Sequence, residues 1–214
     1  MKNRVYILLM LAVTMITSCR SSFVAIERSA IEHSDSAFVH YLKEEGVPYT
    51  TNNQVAILNG AHIKFDLLFK DIREARHHIH LEYFNFRNDS INDVLLTLLA
   101  EKAKEGVEVR AMFDAFGNLS NNQPLKRKDL KAIENAGIQI VKVDPVTFPW
   151  INHMFARDHR KIVVIDGKTA YTGGINVADY YLNGIEGIGE WRDMHSKIKG
   201  EAVNELQKIF LDMW

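Results

Sequence analysis

Strand-like and helix-like segments alternate along this chain, and that alternation restricts the possible folds more than any other feature. Short stretches rich in apolar, branched and aromatic residues occur at 54–58, 78–86, 107–113 and 138–143, and a helical pattern separates each from the next. Alternation of this kind is typical of α/β folds, in which helices pack on a largely parallel or mixed sheet. We therefore expect an α/β sandwich with a mixed central sheet flanked by helices.

The helices are predicted from apolar residues spaced three and four apart and from glycines that end them. In the second helix, Ile63, Leu67, Leu68 and Ile72 lie near one face, which we expect to pack on the sheet. The predicted helices span 34–45, 61–76, 91–105, 127–136 and 201–214.

A β-hairpin is predicted between positions 162 and 172. The apolar run 162–165 is typical of a buried strand, Asp166-Gly167 is a strong turn signal, and 169–172 supplies the return strand. The length of the turn decides which side chains of the two strands share a face of the hairpin. A three-residue loop in place of a two-residue turn would put the side chains of one strand on the opposite face relative to those of the other.

With a two-residue turn, the hairpin brings polar residues and a glycine to one face. Side chains two apart on a strand point the same way, so His159 and Lys161 share a face with Gly174 and Asn176. Glycine lets a ligand approach the backbone closely. A histidine, a cation and an amide donor around glycines therefore predict a phosphate site.

The spacing His-x-Lys, four residues, Asp, six residues, Gly-Gly-x-Asn resembles the HKD motif of the phospholipase D superfamily. Local sequence at 81–84, 106–110, 157–161 and 191–195 is similar to that of bacterial cardiolipin synthases. The likeness runs from about position 53 to the end and corresponds to the amino-terminal half of their catalytic region. It implies a phospholipase D-like fold with one HKD half. The residues that match the motif are His159, Lys161, Asp166, Gly173, Gly174 and Asn176.

The resemblance also implies a mechanism. His159 would attack the substrate phosphorus and form a phosphohistidine, and water or an alcohol would then take the phosphoryl group. Lys161 and Asn176 would hold the non-bridging oxygens, with Gly173 and Gly174 forming the wall of the phosphate site. Neither a metal nor another cofactor is implied, because the cationic and amide donors take that part.

A nucleophilic imidazole needs an acceptor at its second nitrogen to hold one tautomer. The resemblance implies an acidic residue after the asparagine, and Asp193 is the first candidate. Glu82 is the second candidate and is also grouped with the substrate-binding glycines. Asp166 belongs to the motif's catalytic set, but its place at the turn favours a role in fixing the loop.

Two further patterns imitate known sites. His77 and His78 are adjacent at a helix-to-strand junction and cannot share one face, and no cysteine or second histidine pair supports them, so we expect no metal site there. The run 195–197 repeats His-x-Lys but lacks the following aspartate, since position 202 is alanine. We therefore expect His195 on an exposed strand surface. The aromatic residues Phe148, Trp150 and Phe155 form either an entrance for acyl chains or part of the core.

The first residues resemble a bacterial lipoprotein signal. A basic start and an apolar run at 5–16 precede Ile16-Thr17-Ser18-Cys19, and a bilayer-spanning helix would need roughly 20 apolar residues. Cys19 is the only cysteine, and we expect it to be lipidated; a plain secretory signal with a spare thiol is the alternative. We expect an anchored lipoprotein of the cell envelope, facing the periplasm or the exterior. The predicted organisation is a signal peptide at 1–18, a tether and short helix at 19–50, and the phospholipase D-like domain at 51–214.

Charge helps to separate the function classes. Cleavage before Cys19 removes two of the 26 basic side chains and none of the 27 acidic ones, which leaves a formal charge of −3. A nucleic-acid partner is therefore not expected. We expect phosphatidyl transfer, with phosphatidylglycerol converted to cardiolipin. A dimeric nuclease of the same superfamily and an inactive fragment of a two-motif enzyme are the alternatives.

The superfamily mechanism implies a second His-x-Lys pair, because one histidine attacks while another protonates the leaving oxygen. A homodimer or a second motif in a carboxyl-terminal half would supply it. The amphipathic pattern at 201–214 ends at Trp214 without glycine, proline or a polar tail. We therefore expect the missing half rather than the dimer.

Overall fold

The computed structural model describes residues 35–145, 147–148 and 155–214, so the predicted signal segment, Cys19 and Trp150 lie outside the described residues. The chain divides into two units, 1–49 and 50–214. Helix α1 (Asp35–Glu44) belongs to the first unit and matches the predicted first helix. Among the described residues, no helix has both the length and the apolar composition needed to cross a bilayer.

The second unit alternates strands and helices as predicted, with boundaries within two or three residues. Two short helices, α4 and α6, were not predicted. The elements are β1 (Asn53–Asn59), α2 (Ala61–Glu74), β2 (His78–Tyr83), α3 (Ser90–Lys104), β3 (Glu108–Asp114), α4 (Ala115–Ser120), α5 (Arg127–Asn135), β4 (Gln139–Val143), β5 (Ile162–Ile165), β6 (Thr169–Gly173), α6 (Tyr180–Asn183), β7 (Met194–Gly200) and α7 (Ala202–Met213).

Seven strands form one sheet in the order β1-β7-β6-β5-β2-β3-β4. Strands β2, β3 and β4 pair in parallel, and the other neighbours are antiparallel. Each parallel connection runs through a helix, as parallel pairs require. The predicted mixed sheet is therefore confirmed.

The registers give the sheet two distinct ends. Strands β1, β2, β3, β4 and β6 finish at one end, where β5 and β7 begin. We call this the site end, because His159 precedes β5 there. The opposite end holds the turn between β5 and β6, and we call it the turn end.

Both faces of the sheet are covered. Helices α2 and α3 bury residues such as Leu68, Ile72, Leu95 and Leu99 in the main core. On the other face, Val203 of α7 packs in a smaller cluster formed mainly by β5 and β6 residues. Full burial of one such side chain contributes roughly 1.5–3 kcal/mol, so the two cores hold the strands in a fixed register.

The hairpin differs from its prediction. Ile165 pairs with Thr169, which leaves a three-residue loop, so the predicted two-residue turn is wrong. Asp166 and Gly167 both have positive φ, 53° and 63°. Continued in this register, Lys161 faces Gly173 and His159 faces Ile175, so the expectation that His159 and Lys161 share a face with Gly174 and Asn176 is wrong. A phosphate site at these residues would therefore depend on the segment that follows β6, and not on the hairpin face alone.

Candidate active site

His159 lies at the site end, immediately before β5, with an exposed side chain. Its ring centroid is 4.7 Å from that of Phe84, and the described part of the chain offers the imidazole no hydrogen bond. Partial burial lowers the pKa of His159, and the Lys161 charge lowers it further, against the opposing charges of Asp158 and Asp114. The imidazole is therefore neutral near pH 7, which is the form that can attack an electrophile.

Lys161 is buried, with 3% of its surface exposed. Its Nζ donates a hydrogen bond to the His159 carbonyl oxygen at 2.7 Å and lies 5.4 Å from the Phe84 ring centroid. Burial lowers the pKa of Lys161 to about 8, against the attraction of Asp158 and Asp193. A partly desolvated ammonium group at this place can bind a phosphate oxygen strongly.

Asp114, the last residue of β3, holds the segment before the motif. One carboxylate oxygen accepts the Asp158 backbone N–H at 3.0 Å, and the other lies 3.4 Å from the Arg157 guanidinium. Arg157 also donates to the Asp144 carbonyl oxygen at 2.9 Å. Asp114 was not among the predicted site residues, although its place at the end of a buried strand was visible in the sequence.

Among the described contacts, Glu82 pairs with Arg160 and forms no hydrogen bond with His159. It is fully buried at the end of β2, and one of its oxygens lies 2.6 Å from Arg160 Nε, which is also 3.1 Å from Asp158. Burial and the nearby Asp158 charge raise the pKa of Glu82 to about 8, against the opposing charge of Arg160. Near pH 7 Glu82 is therefore largely protonated, and it lies beside the Arg160–Asp158 ion pair of the motif segment.

The chain after β6 forms a wall beside Lys161 and Asp193. The Gly174 N–H donates to the Met194 carbonyl oxygen at 2.9 Å. Asn176 is 5% exposed, and its Nδ2 donates to the Tyr181 hydroxyl at 3.1 Å, while its Oδ1 is buried with no hydrogen-bond partner among the described residues. The Tyr181 hydroxyl in turn lies 3.5 Å from the Gly174 carbonyl oxygen. These contacts join Asn176 to the glycine pair.

Asp193 immediately precedes β7 and packs against this wall. A Cβ placed on Gly174 would lie 2.1 Å from an Asp193 carboxylate oxygen, so any larger residue there would displace that carboxylate. That oxygen also accepts the Met194 backbone N–H at 2.7 Å. The described contacts bring Asp193 to Gly174, and they show no hydrogen bond between Asp193 and His159. Its role in orienting His159 stays a prediction.

Asp166 lies at the turn end, away from the other candidates. Its carboxylate accepts backbone N–H groups of Arg76, His77 and His78 at 2.9, 2.8 and 3.0 Å. The structure thus brings together Lys161, Gly174 and Asp193, and it separates Asp166 from them.

Two other expectations change. His195 is 2% exposed rather than part of a strand surface. Phe148 and Phe155 are 82% and 86% exposed, so core packing does not describe them.

Among the described residues, no group of three or more histidine, cysteine or acidic side chains is arranged to hold a metal ion.

A cavity of about 1080 Å³ opens beside Asp193. The end of β1, the start of α2, the α6 segment and the loop before β7 line it. Trp191 in that loop packs on Tyr180 and Tyr181, with ring centroids 5.2 and 6.2 Å apart. The cavity therefore adjoins Asp193, one of the candidate site residues.

Comparison with known proteins identifies relatives of this arrangement. The family model described as "Cardiolipin synthase, PLD-like domain" matches residues 68–214. A cardiolipin synthase of Oceanobacillus iheyensis is 38% identical over 184 residues, which cover 86% of this chain and 37% of that protein. The chain thus spans little more than a third of the length of that curated relative.

Solved structures share the fold at low sequence identity. Nuc, a phospholipase D family member from Salmonella typhimurium, is similar with a TM-score of 0.54 at 19% identity, covering 76% of this chain and 95% of that one. A phosphatidylserine synthase from Haemophilus influenzae gives a TM-score of 0.58 at 16% identity, covering 74% of this chain and 36% of that one. The expected phospholipase D-like fold is therefore confirmed.

Proposed function

Because the chain belongs to the family described as cardiolipin synthase, PLD-like domain, we propose that it carries one half of a phosphatidyl-transfer site of the cardiolipin synthase type. The observation that supports this most directly is the pair formed by His159 and Lys161. An exposed imidazole with a lowered pKa lies beside a buried ammonium group. That pair supplies a nucleophile and a binding group for the phosphate that it attacks.

In the proposed reaction a ring nitrogen of His159 attacks the phosphorus of phosphatidylglycerol. A P–N bond forms while the P–O bond to glycerol breaks, and a second histidine gives its proton to the departing glycerol oxygen. A hydroxyl of another phosphatidylglycerol then loses its proton to that second histidine and attacks the phosphohistidine. Cardiolipin forms, and His159 is restored. Water in place of the second lipid gives phosphatidic acid.

Lys161 and Asn176 are proposed to bind the non-bridging oxygens. Both side chains are buried, so their interaction with a charged phosphate is less screened by water than on an open surface. The Asn176 amide is oriented by Tyr181 before any substrate arrives. Donors that are fixed in advance stabilise the transition state without reorganising.

Apolar side chains around the site support a lipid substrate. Leu119, Phe155, Ile188 and Met194 are 68%, 86%, 74% and 60% exposed, and all lie in segments at the site end. Among the described residues, the connections at 75–77, 105–107, 136–138 and 166–168 at the turn end expose no large apolar side chain. Val55 and Ile57 on the edge strand β1 are also exposed, at 58% and 63%, but the connections of the second unit that expose large apolar side chains lie at the site end, and groups of exposed apolar side chains mark a surface for lipid or protein.

The substrate proposal is tested with vesicles of phosphatidylglycerol and with DNA. We expect turnover to cardiolipin or phosphatidic acid, a phosphorylated protein intermediate that disappears in His159→Ala, and no competition by DNA. Cleavage of DNA without lipid turnover would contradict the proposal and support the nuclease alternative.

The partner of His159 is proposed to be a second HKD half, supplied by a second copy of the chain or by a carboxyl-terminal half. A single imidazole cannot easily act on both sides of the phosphorus. Sedimentation of the purified chain combined with the lipid assay tests this. An active dimer or rescue of an inactive monomer by a separate half supports it, and a fully active monomer contradicts it.

Anchorage through Cys19 is a separate proposal, supported by the sequence before that cysteine. It would hold the enzyme in the cell envelope beside its phospholipid substrate. Cys19→Ser should abolish acyl labelling and release the protein from membranes. Unchanged labelling would contradict lipidation of Cys19.

A further inference from the structure

Two buried basic side chains outside the motif lie beneath the proposed phosphate site. Lys64 is in the first turn of α2 and is completely buried. His195 is the second residue of β7 and is 2% exposed. Charged groups are rarely buried without a partner, because their removal from water costs several kcal/mol. Burial of Lys64 therefore costs stability, and packing alone does not explain why a lysine occupies this position.

The surroundings of Lys64 are aromatic. Its Nζ lies 3.9 Å from the ring centroid of Phe65 and 4.9 Å from that of Tyr83. No described residue forms a hydrogen bond with this ammonium group or with the buried Tyr83 hydroxyl. Burial lowers the pKa of Lys64 strongly, and the attraction of Asp193 opposes that shift. Asp193 adjoins the start of α2, because its carbonyl oxygen accepts the Gly60 N–H at 3.1 Å and the Gly60 carbonyl oxygen accepts the Lys64 N–H at 3.4 Å. Asp193 is thus the carboxylate that stabilises the charged form of Lys64.

His195 links this cation to the motif. It pairs with Gly173 across strands β6 and β7, and a Cβ on Gly173 would lie 2.7 Å from His195 Nδ1. Burial, then the charges of Lys64 and Lys161, lower the pKa of His195 to about 2. The imidazole is therefore neutral and lies within the fields of two ammonium groups. Neither ring nitrogen has a hydrogen-bond partner among the described residues.

Lys64 changes the net charge around the proposed phosphate site. Lys161 and Asp193 cancel, His195 and His159 are neutral, Glu82 with its raised pKa is protonated near pH 7, and Arg160 cancels Asp158. Without Lys64, a negatively charged phosphodiester would enter a pocket with no net positive charge. With Lys64 protonated, the pocket has a net charge of +1.

We propose that Lys64 is a positioning residue of the phosphate site: a buried cation that balances Asp193 beside Gly174 and leaves the charge of Lys161 free for the phosphate. It does not touch the substrate. It acts through Asp193, and neutral His195 separates it from Lys161. The inference rests on the proposed function, because it assumes that a phosphate binds at Lys161, Gly174 and Asn176.

The groups that set the protonation of Lys64 come from several elements. Asp193 faces it from the loop before β7, His195 from β7 and Tyr83 from β2, while Lys161 acts on the far side of His195. Of these, only Asp193 is negatively charged near neutral pH. Rising pH should therefore remove the Lys64 charge before that of an exposed lysine, and the affinity for an anion should fall with it.

The test measures binding of tungstate, a tetrahedral dianion that does not titrate between pH 7 and pH 10, to the full chain by calorimetry. Lys64→Met should weaken binding at least about tenfold at pH 7, since it removes a buried positive charge from the surroundings of the bound dianion, where the effective dielectric is lower than in water. It should also make binding less dependent on pH. Lys70→Met, which changes an exposed lysine of the same helix, should leave both properties unchanged.

Stability separates this role from a structural one. A methionine suits the aromatic surroundings of Lys64, so Lys64→Met should melt at the same temperature as the wild type or higher. Asp193→Asn provides a second variant, which should shift the loss of tungstate affinity to lower pH because the Lys64 charge loses its support. Wild-type affinity in folded Lys64→Met, or an unchanged pH profile in both variants, would overturn the role of Lys64. Failure of the wild type to bind tungstate would overturn the phosphate site itself.

Discussion

At the turn end of the sheet, the Asp166 carboxylate accepts three backbone N–H groups, whereas at the site end Lys64, Asn176 and His195 each have buried polar atoms without a hydrogen-bond partner among the described residues. An unsatisfied buried polar group costs about 1–3 kcal/mol. The two ends therefore differ in what their polar groups do. Those of the turn end hold the fold together, whereas we propose that those of the site end serve the phosphate site, Asn176 by direct contact through its amide N–H and Lys64 through its charge.

The largest expected difference concerns His159. His159→Ala should lower lipid turnover roughly 10³-fold or more, because the covalent step is lost. The side chain is exposed, so the free energy of unfolding should change by less than about 0.5 kcal/mol. Turnover of phosphatidylglycerol vesicles in an active assembly and urea unfolding provide the two measurements. A large loss of stability, or full activity, in His159→Ala would contradict the expected difference between the site end and the turn end.

Asp166 should show the opposite behaviour. Asp166→Ala removes three hydrogen bonds to a charged acceptor, and the free energy of unfolding should fall by about 3 kcal/mol. Lys168→Ala in the same loop, where the side chain is exposed, should change it by less than about 0.5 kcal/mol. Urea unfolding of both variants checks this, and equal effects would show that the loop tolerates loss of the carboxylate.

The pH dependence of stability should follow the same carboxylate. Burial alone would raise the pKa of Asp166, but the N–H groups of His77, Arg76 and His78 together lower it. A lowered carboxyl pKa adds stability above the unfolded value of about 3.9, and this stability is lost as pH falls through the folded value. The wild type should therefore lose more stability below about pH 4 than Asp166→Ala does.

Activity at the site end should fall at alkaline pH. Lys161, whose pKa is lowered to about 8, loses its ammonium proton above that value, so kcat/KM should fall about tenfold per pH unit there. Glu82 also titrates near pH 8, and two variants separate the groups. Glu82→Gln should keep the alkaline fall, while Lys161→Arg should move it to higher pH. The reverse result would assign the fall to Glu82.

The sequence predicted the order of strands and helices because apolar periodicity is a local property, but contacts between distant segments decided the rest. Leu68 and Ile72 lie in the core as predicted, yet Ile63 is 48% exposed and Lys64 occupies the buried position. The rotation of a helix about its axis depends on the sheet beneath it, and a lysine gives no signal of burial. The turn length also escaped prediction, since Asp166 is held by N–H groups of residues 76–78, about 90 positions away.

The motif predicted the candidate site by residue type and spacing, and the arrangement of its charges emerged only from the fold. His159 and Lys161 are two positions apart, so their proximity was certain from the sequence. The contact of Asp193 with Gly174 depends on the pairing of β6 with β7. His195 was expected on the surface because the run 195–197 lacks the aspartate of a second motif, but the burial of a strand residue depends on which elements cover that face of the sheet.

The smallest expected effect concerns two glycines: Gly174, which a side-chain oxygen approaches closely, and Gly187, whose backbone has a positive φ. Gly174→Ala places a methyl group 2.1 Å from the present position of an Asp193 oxygen, so the carboxylate has to move. Because Gly174 lacks a positive φ, the cost falls on the site and not on the backbone, and kcat/KM should fall about tenfold with a stability loss of about 1 kcal/mol or less.

Gly187→Ala is the matched control: its φ is 78° and nothing lies within 4 Å of the added Cβ. That variant should lose about 1 kcal/mol of stability through strain at unchanged kcat/KM. Equal activities of the two variants would show that the position of Asp193 does not matter to the reaction.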